Sequence, residues 1–377
     1  MIMRSYLISL LAVMALLFTA CEKDTVFTGE DDNVQQVLNQ ADQRIADADA
    51  LMEQDLFVSE RAPGVLPAFS IDGLQDAIQE VGPYGTVFVE SGMHFETSPV
   101  MITFPVKIVG DEGAIIQSTT APNADFPYTM EPALFLDHAA RVHIEGLTFV
   151  PNPETGMGGT AILVSNSDRA MIRDNDFSGY FQAVMVYASD FVRIHYNRAE
   201  GLYTEGFDSF NSYGFSVMSG KAAYLRGNFA EDFWAGYFVS DKDGILYKNT
   251  ATGGVQGYFF CNYGEGALEL PDGTSIGAES AATNWLAYSN TAQRLVTGYL
   301  IIDGANNNRL VNNKAIDYSL YGFEFAGETT RFGAPALPTS SDNYFLVSGR
   351  NITVKDCGLN NEIRGGKLVD TTSDPCN

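Results

Sequence analysis

Two short stretches of this chain carry the side chains with which proteins hold hydroxyl-rich ligands. Tyr203, Glu205, Phe207, Asp208, Phe210 and Tyr213 are followed by Glu231, Asp232, Phe233 and Trp234. An aromatic face stacks on an apolar ring face, and carboxylates accept from hydroxyls or ligate calcium. Asp241-Lys242-Asp243 sets a cation between two acids, and Asp137-His138 is the one place where any of the four histidines adjoins an acid. Such a pair has the composition of a general base. The catalytic candidates are therefore Asp137, His138, Asp241, Lys242 and Asp243. The ligand-binding candidates are Tyr203, Glu205, Asp208, Asp232 and Trp234, with Ser216, Phe238 and Ser240. Each has a plainer reading: acids in turns bond backbone N–H groups, and aromatics beside strands fold onto a core. No cysteine and histidine spacing has the pattern of a zinc site, so no metal ligands are assigned. Calcium is the cofactor that the rim acids would suit.

What must position these residues is a repeat. Ala161-Ile162-Leu163-Val164 leads to Asn175, Ala183-Val184-Met185-Val186 to Asn197, Gly214-Phe215-Ser216-Val217 to Asn228, and Gly236-Tyr237-Phe238-Val239 to Asn249. With Gly257 opening the next unit, the starts are 22, 31, 22 and 21 residues apart. A period near 22 built on short alternating strands describes a solenoid. One coil cannot bury its apolar face alone, and stacking pairs every strand edge and joins the faces into one core. The asparagine column predicts a ladder of buried amides, Asn175, Asn197, Asn228, Asn249, Asn290 and Asn313, because each amide both donates and accepts. The unit beginning at Gly322 is read as reaching this column, after an insert, at Asn343. Phe215, Tyr237, Tyr258, Tyr299 and Phe323 share one inward position and predict an aromatic stack.

Ile172-Arg173-Asp174-Asn175-Asp176-Phe177 and Leu246-Tyr247-Lys248-Asn249-Thr250-Ala251 resemble the repeat signature of the right-handed parallel β-helix, pectin-lyase-like superfamily, over roughly residues 70–365. The resemblance implies an all-β solenoid of three parallel sheets, opened by a capping helix. It places the Gly/Ala-led strands in a first sheet, the strand before each Asn in a second, and the residues after it in a third. Inserts 150–159 and 200–213 then lie in the turn leading into the first sheet, and 262–284 and 326–341 in the turn leaving it. Related polysaccharide-active enzymes build their cleft on that sheet. The outward column here is Phe135, Leu163, Met185, Ser216, Phe238, Phe259, Leu300 and Glu324. It holds neither the basic residue of a polyuronate lyase nor the paired carboxylates, about 6.5–9.5 Å apart, of an inverting glycosidase. Two arrangements remain. In one, the inserts form walls around a trough floored by Ser216, Met218, Phe238, Ser240, Phe259 and Cys261, with Tyr263 and Glu265 on the far wall. In the other, the inserts fold down and seal the floor.

Before the solenoid, residues 1–20 read as an export signal. Arg4 is the only charge, Tyr6–Phe18 is mostly apolar, and Leu17-Phe18-Thr19-Ala20-Cys21 resembles a bacterial lipobox that would carry lipid on Cys21. The expected organisation is a signal over 1–20, an acidic tether, helix and linker over 21–69, and the β-helix over 70–377. Apolar residues from Val34 to Leu56 recur at helical spacing, either as a stalk or as a helix packed along the solenoid. Residues 70–81 predict the capping helix. Cys357 and Cys376 are placed to pin the carboxyl tail in an oxidising compartment. With 47 acids against 22 lysines and arginines, a net charge of −25 excludes nucleic acid as a partner and disfavours anionic lipid surfaces. An anionic polysaccharide would need calcium or a local basic patch. Composition and resemblance together describe an envelope-anchored outer-membrane lipoprotein that binds polysaccharide. A lyase, epimerase or hydrolase stands on one side of that reading, and a non-catalytic adhesin or scaffold on the other.

Overall fold

The computed structural model describes residues 32–54, 62–121, 131–203, 212–262, 268–269, 275–276, 281–328, 338–347, 351–372 and 376. Cys21 and the signal, Glu205, Asp208, Tyr263 and Glu265 lie outside the described residues. Three parallel sheets of 11, 12 and 9 strands run the length of the solenoid, each strand pairing with its counterpart one coil away. The Gly/Ala-led strands make the first sheet, as Leu163↔Met185, Met185↔Ser216, Ser216↔Phe238 and Phe238↔Phe259 show. The second sheet stacks Ile172, Ile194, Leu225, Leu246, Ala287, Leu310 and Phe345 inward. The third stacks Ala199, Ala230, Ala251, Ala292 and Ala315.

The alanines face the aromatic stack and leave it room. Phe215, Tyr237, Tyr258, Tyr299 and Phe323 are buried, with successive ring centroids 5.5, 4.7, 4.6 and 4.3 Å apart. Glycine precedes each of these aromatics because the backbone is crowded there. A Cβ on Gly236 would stand 2.7 Å from the Ala251 Cβ. The phenols end at the corner between the second and third sheets. Tyr237 donates to Asn228 O at 2.8 Å and Tyr258 to Asn249 O at 2.7 Å. Tyr258→Phe is therefore expected to lower the unfolding free energy by about 1 kcal/mol in a urea melt, with the near-ultraviolet dichroism of the stack retained.

At that same corner the six predicted asparagines form one ladder. Each Nδ2 donates to the next Oδ1, at 3.0 to 3.1 Å from Asn175 through to Asn313. The first rung closes on Leu147, whose N–H donates to Asn175 Oδ1. Asn343 does not belong to this ladder. It joins Asn308 and Asn361 in a second ladder at the corner between the first and second sheets. The difference lies in what each asparagine precedes: Asn308, Asn343 and Asn361 each stand immediately before a second-sheet strand.

Helix α1, Asp32–Gln54, packs along the outside of the second sheet rather than forming a stalk. Val34 and Val37 meet Val311 and Leu346, and Ala41 and Ile45 meet Tyr224, Ile245 and Leu286. Asp49 accepts from Tyr224 Oη and Arg226. Helix α2, Leu74–Val81, caps the first coil. It starts later than residue 70 because Ile71 pairs with Phe95 and Asp72 accepts from Thr97. The buried Glu96 accepts from Leu74 N–H at 3.1 Å, and Gly82, at φ +64°, ends the helix. Cys357 and Cys376 are bridged, and Cys261 is buried as a thiol.

Candidate functional site

The strands Tyr213–Lys221, Ala235–Lys242 and Gln256–Phe260 carry the residues expected to floor a trough. They are not open to a ligand. Ser216, Ser240 and Cys261 have no exposed surface, Phe238 is 1% exposed, and Met218 and Phe259 are 2%. The floor is sealed, and Ser216, Phe238 and Ser240 are corrected from ligand contacts to interior residues. The physical reason is the column itself: Phe135, Leu163, Met185, Phe238 and Phe259 form a second apolar cluster whose burial is favourable at about 25 cal/mol per Å². Ser216 Oγ lies buried beside it with no hydrogen-bond partner among the described residues.

The rim on the incoming side is partly exposed. Trp234 packs edge-on against Phe259 at 5.4 Å and Tyr213 at 6.1 Å, held by its N–H on Ser212 Oγ. Tyr203 N–H donates to Asp232 O. Asp232 turns the chain at φ +55°, and a Cβ on Gly253 would stand 2.0 Å from its Oδ1. Burial, followed by the nearby Glu231, raises the Asp232 carboxyl above its ordinary range. Glu231 is held in ion pairs with Arg198 and Arg294 at 3.0 and 3.2 Å. The structure thus brings Tyr203, Asp232 and Trp234 to one turn and commits their acidic neighbour to the third sheet. Among the described residues no three His, Cys, Asp or Glu side chains converge to hold a metal ion.

The catalytic candidates do not assemble. Asp241, Lys242 and Asp243 follow one another where the first sheet ends, so they face different ways. Asp241 is fully buried, its carboxylate oxygens meet no hydrogen-bond partner among the described residues, and burial holds its pKa well above the usual carboxylate range. Its carbonyl takes the Trp285 indole N–H at 3.0 Å. Lys242 is exposed, and Asp243 turns outward to bond Asn284 Nδ2. His138 Nδ1 and Asp137 Oδ1 do pair, at 2.6 Å, on an exposed turn. The register carries Asp137 through Ser165, Tyr187 and Met218 to Ser240, four rungs of about 4.8 Å away from the rim. The polar face of helix α1 and the arginine opposite it at position 309 had no signal in the repeat. They are separated in the chain by more than ten coils' worth of sequence, and only the docked helix unites them.

The sequence matches the family described as right handed beta helix region over residues 160–333. No curated protein matches it significantly. Among solved structures, a rhamnogalacturonan lyase superposes with a TM-score of 0.57 at 11% identity, covering 83% of this chain and 90% of its own. The surface adhesin PfbA of Streptococcus pneumoniae gives 0.44 at 13% identity, covering 78% and 86%. The Yersinia enterocolitica family 28 exopolygalacturonase gives 0.45 at 10%, covering 82% and 76%. At such identities the first likeness speaks for the fold alone. Repeat, ladder, three parallel sheets and the family match over residues 160–333 together make this chain a right-handed parallel β-helix.

Proposed function

We propose that the chain is a bacterial outer-membrane lipoprotein, anchored through Cys21, whose β-helix binds polysaccharide without cleaving it. One observation carries this reading. Partly exposed Tyr203 and Trp234 stand with Asp232 at the turn leading into a first sheet whose outer column beside that turn, Met185, Ser216, Phe238 and Phe259, holds neither acid nor base. That turn can stack a sugar ring and accept from its hydroxyls. It has no convergent pair to move protons on the sugar. A shared architecture with a rhamnogalacturonan lyase supports a glycan as the partner, and fold by itself leaves the chemistry to the site. The test is a panel of polysaccharides with three readouts: retention, new reducing ends and unsaturated uronate absorbance. Retention without either product is the expected result. Product of either kind would overturn the non-catalytic reading. Cys21→Ser should move the protein from the membrane fraction to the soluble one.

A further inference from the structure

The two ends of the solenoid are finished differently. Helix α2 covers the first coil. At the other end the second sheet stops at Glu362–Arg364 and the first at Lys367–Leu368, and among the described residues no further strand or helix follows. Leu368 holds an inward position: it pairs with Val354, which pairs with Phe323 of the aromatic stack. Val354 and Phe323 have no exposed surface, whereas Leu368 is 59% exposed. Ile363 repeats the pattern in the second sheet, partly exposed where its register partner Phe345 is fully buried. Leu359, at the corner before that last strand, is also 59% exposed. The core therefore ends in apolar side chains with no coil to cover them. A repeat array needs a polar terminal unit to stay soluble, or a surface to lie against.

Helix α1 fixes where the amino-terminal tether leaves. Asn33 and Gln36, in its first turns, line one groove with Glu362 of the last second-sheet strand. The helix is firmly seated. Val34 and Val37 meet Val311 and Leu346; farther along, Arg44 donates to Asn284 O and Gly244 O, and Arg309 to Gln40 Oε1. The helix thus runs against the order of the coils, and its first residue lies at the carboxy-terminal end. Ten residues, 22–31, separate it from Cys21. Fully extended, they reach at most about 40 Å. The second sheet has twelve strands, so its two ends are eleven steps of about 4.8 Å, or about 53 Å, apart. A lipid on Cys21 can lie beneath the carboxy-terminal coils but cannot let the molecule stand on its amino-terminal cap. Phe69 and Ile71 at that cap are exposed too, and the same leash denies them an end-on berth on that bilayer. The flanks suit lipid less: Gln43 and Asp47 on helix α1, and Asp176 and Glu200 on the third sheet, are all exposed.

We propose that the carboxy-terminal end of the solenoid is a membrane-facing surface. Leu359 and Leu368 sit in the lipid interface of the bilayer that holds the Cys21 lipid, and the capped end is turned away from it. This rests on the reading of the chain as a lipoprotein and assigns which end meets the membrane. Apolar side chains gain by leaving water for the headgroup boundary. Lys367, exposed beside Leu368, can lay its stem along that apolar surface and keep its ammonium among the phosphates. Anionic lipid is not needed, which suits a chain of net charge −25.

The experiment reconstitutes the lipidated full chain in phosphatidylcholine vesicles, with or without bromine on the acyl chains, and reads tryptophan emission. Leu368→Trp and Leu359→Trp are each expected to lose at least about half of the emission they add to the parent's when the lipid is brominated. Phe69→Trp should lose less than about a tenth. Trp234 and Trp285 are common to every sample and are subtracted with the parent. Two carboxy-terminal positions are used so that a misfolded variant at one does not decide the result. Quenching of Phe69→Trp as strong as that of Leu368→Trp would mean that the solenoid lies flat. Quenching at neither carboxy-terminal position, in protein that floats with the vesicles, would mean that the tether holds this end off the surface. Either result overturns the inference alone. A chain that carries no lipid on Cys21 by mass spectrometry and does not float defeats the lipoprotein reading with it.

Discussion

Asn228→Ala is expected to lower the unfolding free energy by about 3 kcal/mol. Asn228 Oδ1 accepts from both the N–H and the Nδ2 of Asn197, each at 3.0 Å. Its own Nδ2 donates to Ile194 O at 2.6 Å and to Asn249 Oδ1 at 3.0 Å. Alanine strands two donors on Asn197 and one carbonyl on Ile194. Asn197 and Asn228 are each 1% exposed and Ile194 not at all, so water cannot replace what is lost. Each stranded group costs about 1 kcal/mol or more. Asn249 Oδ1 keeps one donor, the backbone N–H of residue 228, which limits the damage on that side. Urea denaturation measures the loss, and amide hydrogen exchange at Asn197 locates it. A melt identical to the parent's would mean that the column bears no load.

The second large effect is a pH dependence centred on Glu96. This carboxyl is 2% exposed, and burial is the leading cause that pushes its pKa up to about 7 from 4.5, with the Leu74 N–H opposing. A carboxyl raised on folding contributes stability that is complete below pH 4.5 and is lost as pH rises through 7. The shift corresponds to about 3 kcal/mol. Glu96→Gln keeps an oxygen for Leu74 N–H and removes the proton equilibrium. The variant should exceed the parent in unfolding free energy at pH 8 by up to about 3 kcal/mol, and the gap should close toward pH 5. His143 and His195 titrate the other way: burial lowers them to about 4 and about 3, so what they contribute is lost only as pH falls below 6.5. They are unchanged in the variant and cancel in the difference. A gap of the same size at pH 5 and pH 8 would show that Glu96 does not titrate in this range.

The solenoid was legible because its information is local and repeated. A small residue, two alternating apolar positions and an Asn at a constant offset recur in each coil, and each has a packing reason that the coordinates bear out. Asn343 was misplaced because an asparagine after an insert looks the same whether the turn leads into the second sheet or the third. The size of the apolar residue two positions on is the difference: it is alanine after five of the six first-ladder asparagines, with Phe177 the exception, and Leu310, Phe345 or Ile363 after those of the second. The candidate site was read less well. Ser216 and Ser240 looked like openings in a floor, because alternation gives the face of a side chain but not what lies over that face. Arg44 and Arg309 carry no local pattern at all. Their proximity follows from the docking of one helix, which periodicity predicts as an amphipathic segment and places nowhere.

That docking also orders events in time. Coils can stack on one another as each is completed, since every unit needs only its neighbour. Helix α1 is made before any of them, yet its partners extend to Arg309, Val311 and Leu346. Ala41 and Ile45 find Tyr224, Ile245 and Leu286 earlier, but Val34 and Val37 stay without a berth until residue 346 has been synthesised, so full seating waits for that point. Once seated, it spans the strands at 224–226, 245–247, 286–288, 309–311 and 344–346 and ties five otherwise separable coils into one cooperative block. The pocket it shares with the sheet corner, lined by Gln40, Arg44, Asn284 and Arg309, comes into being only with that seating.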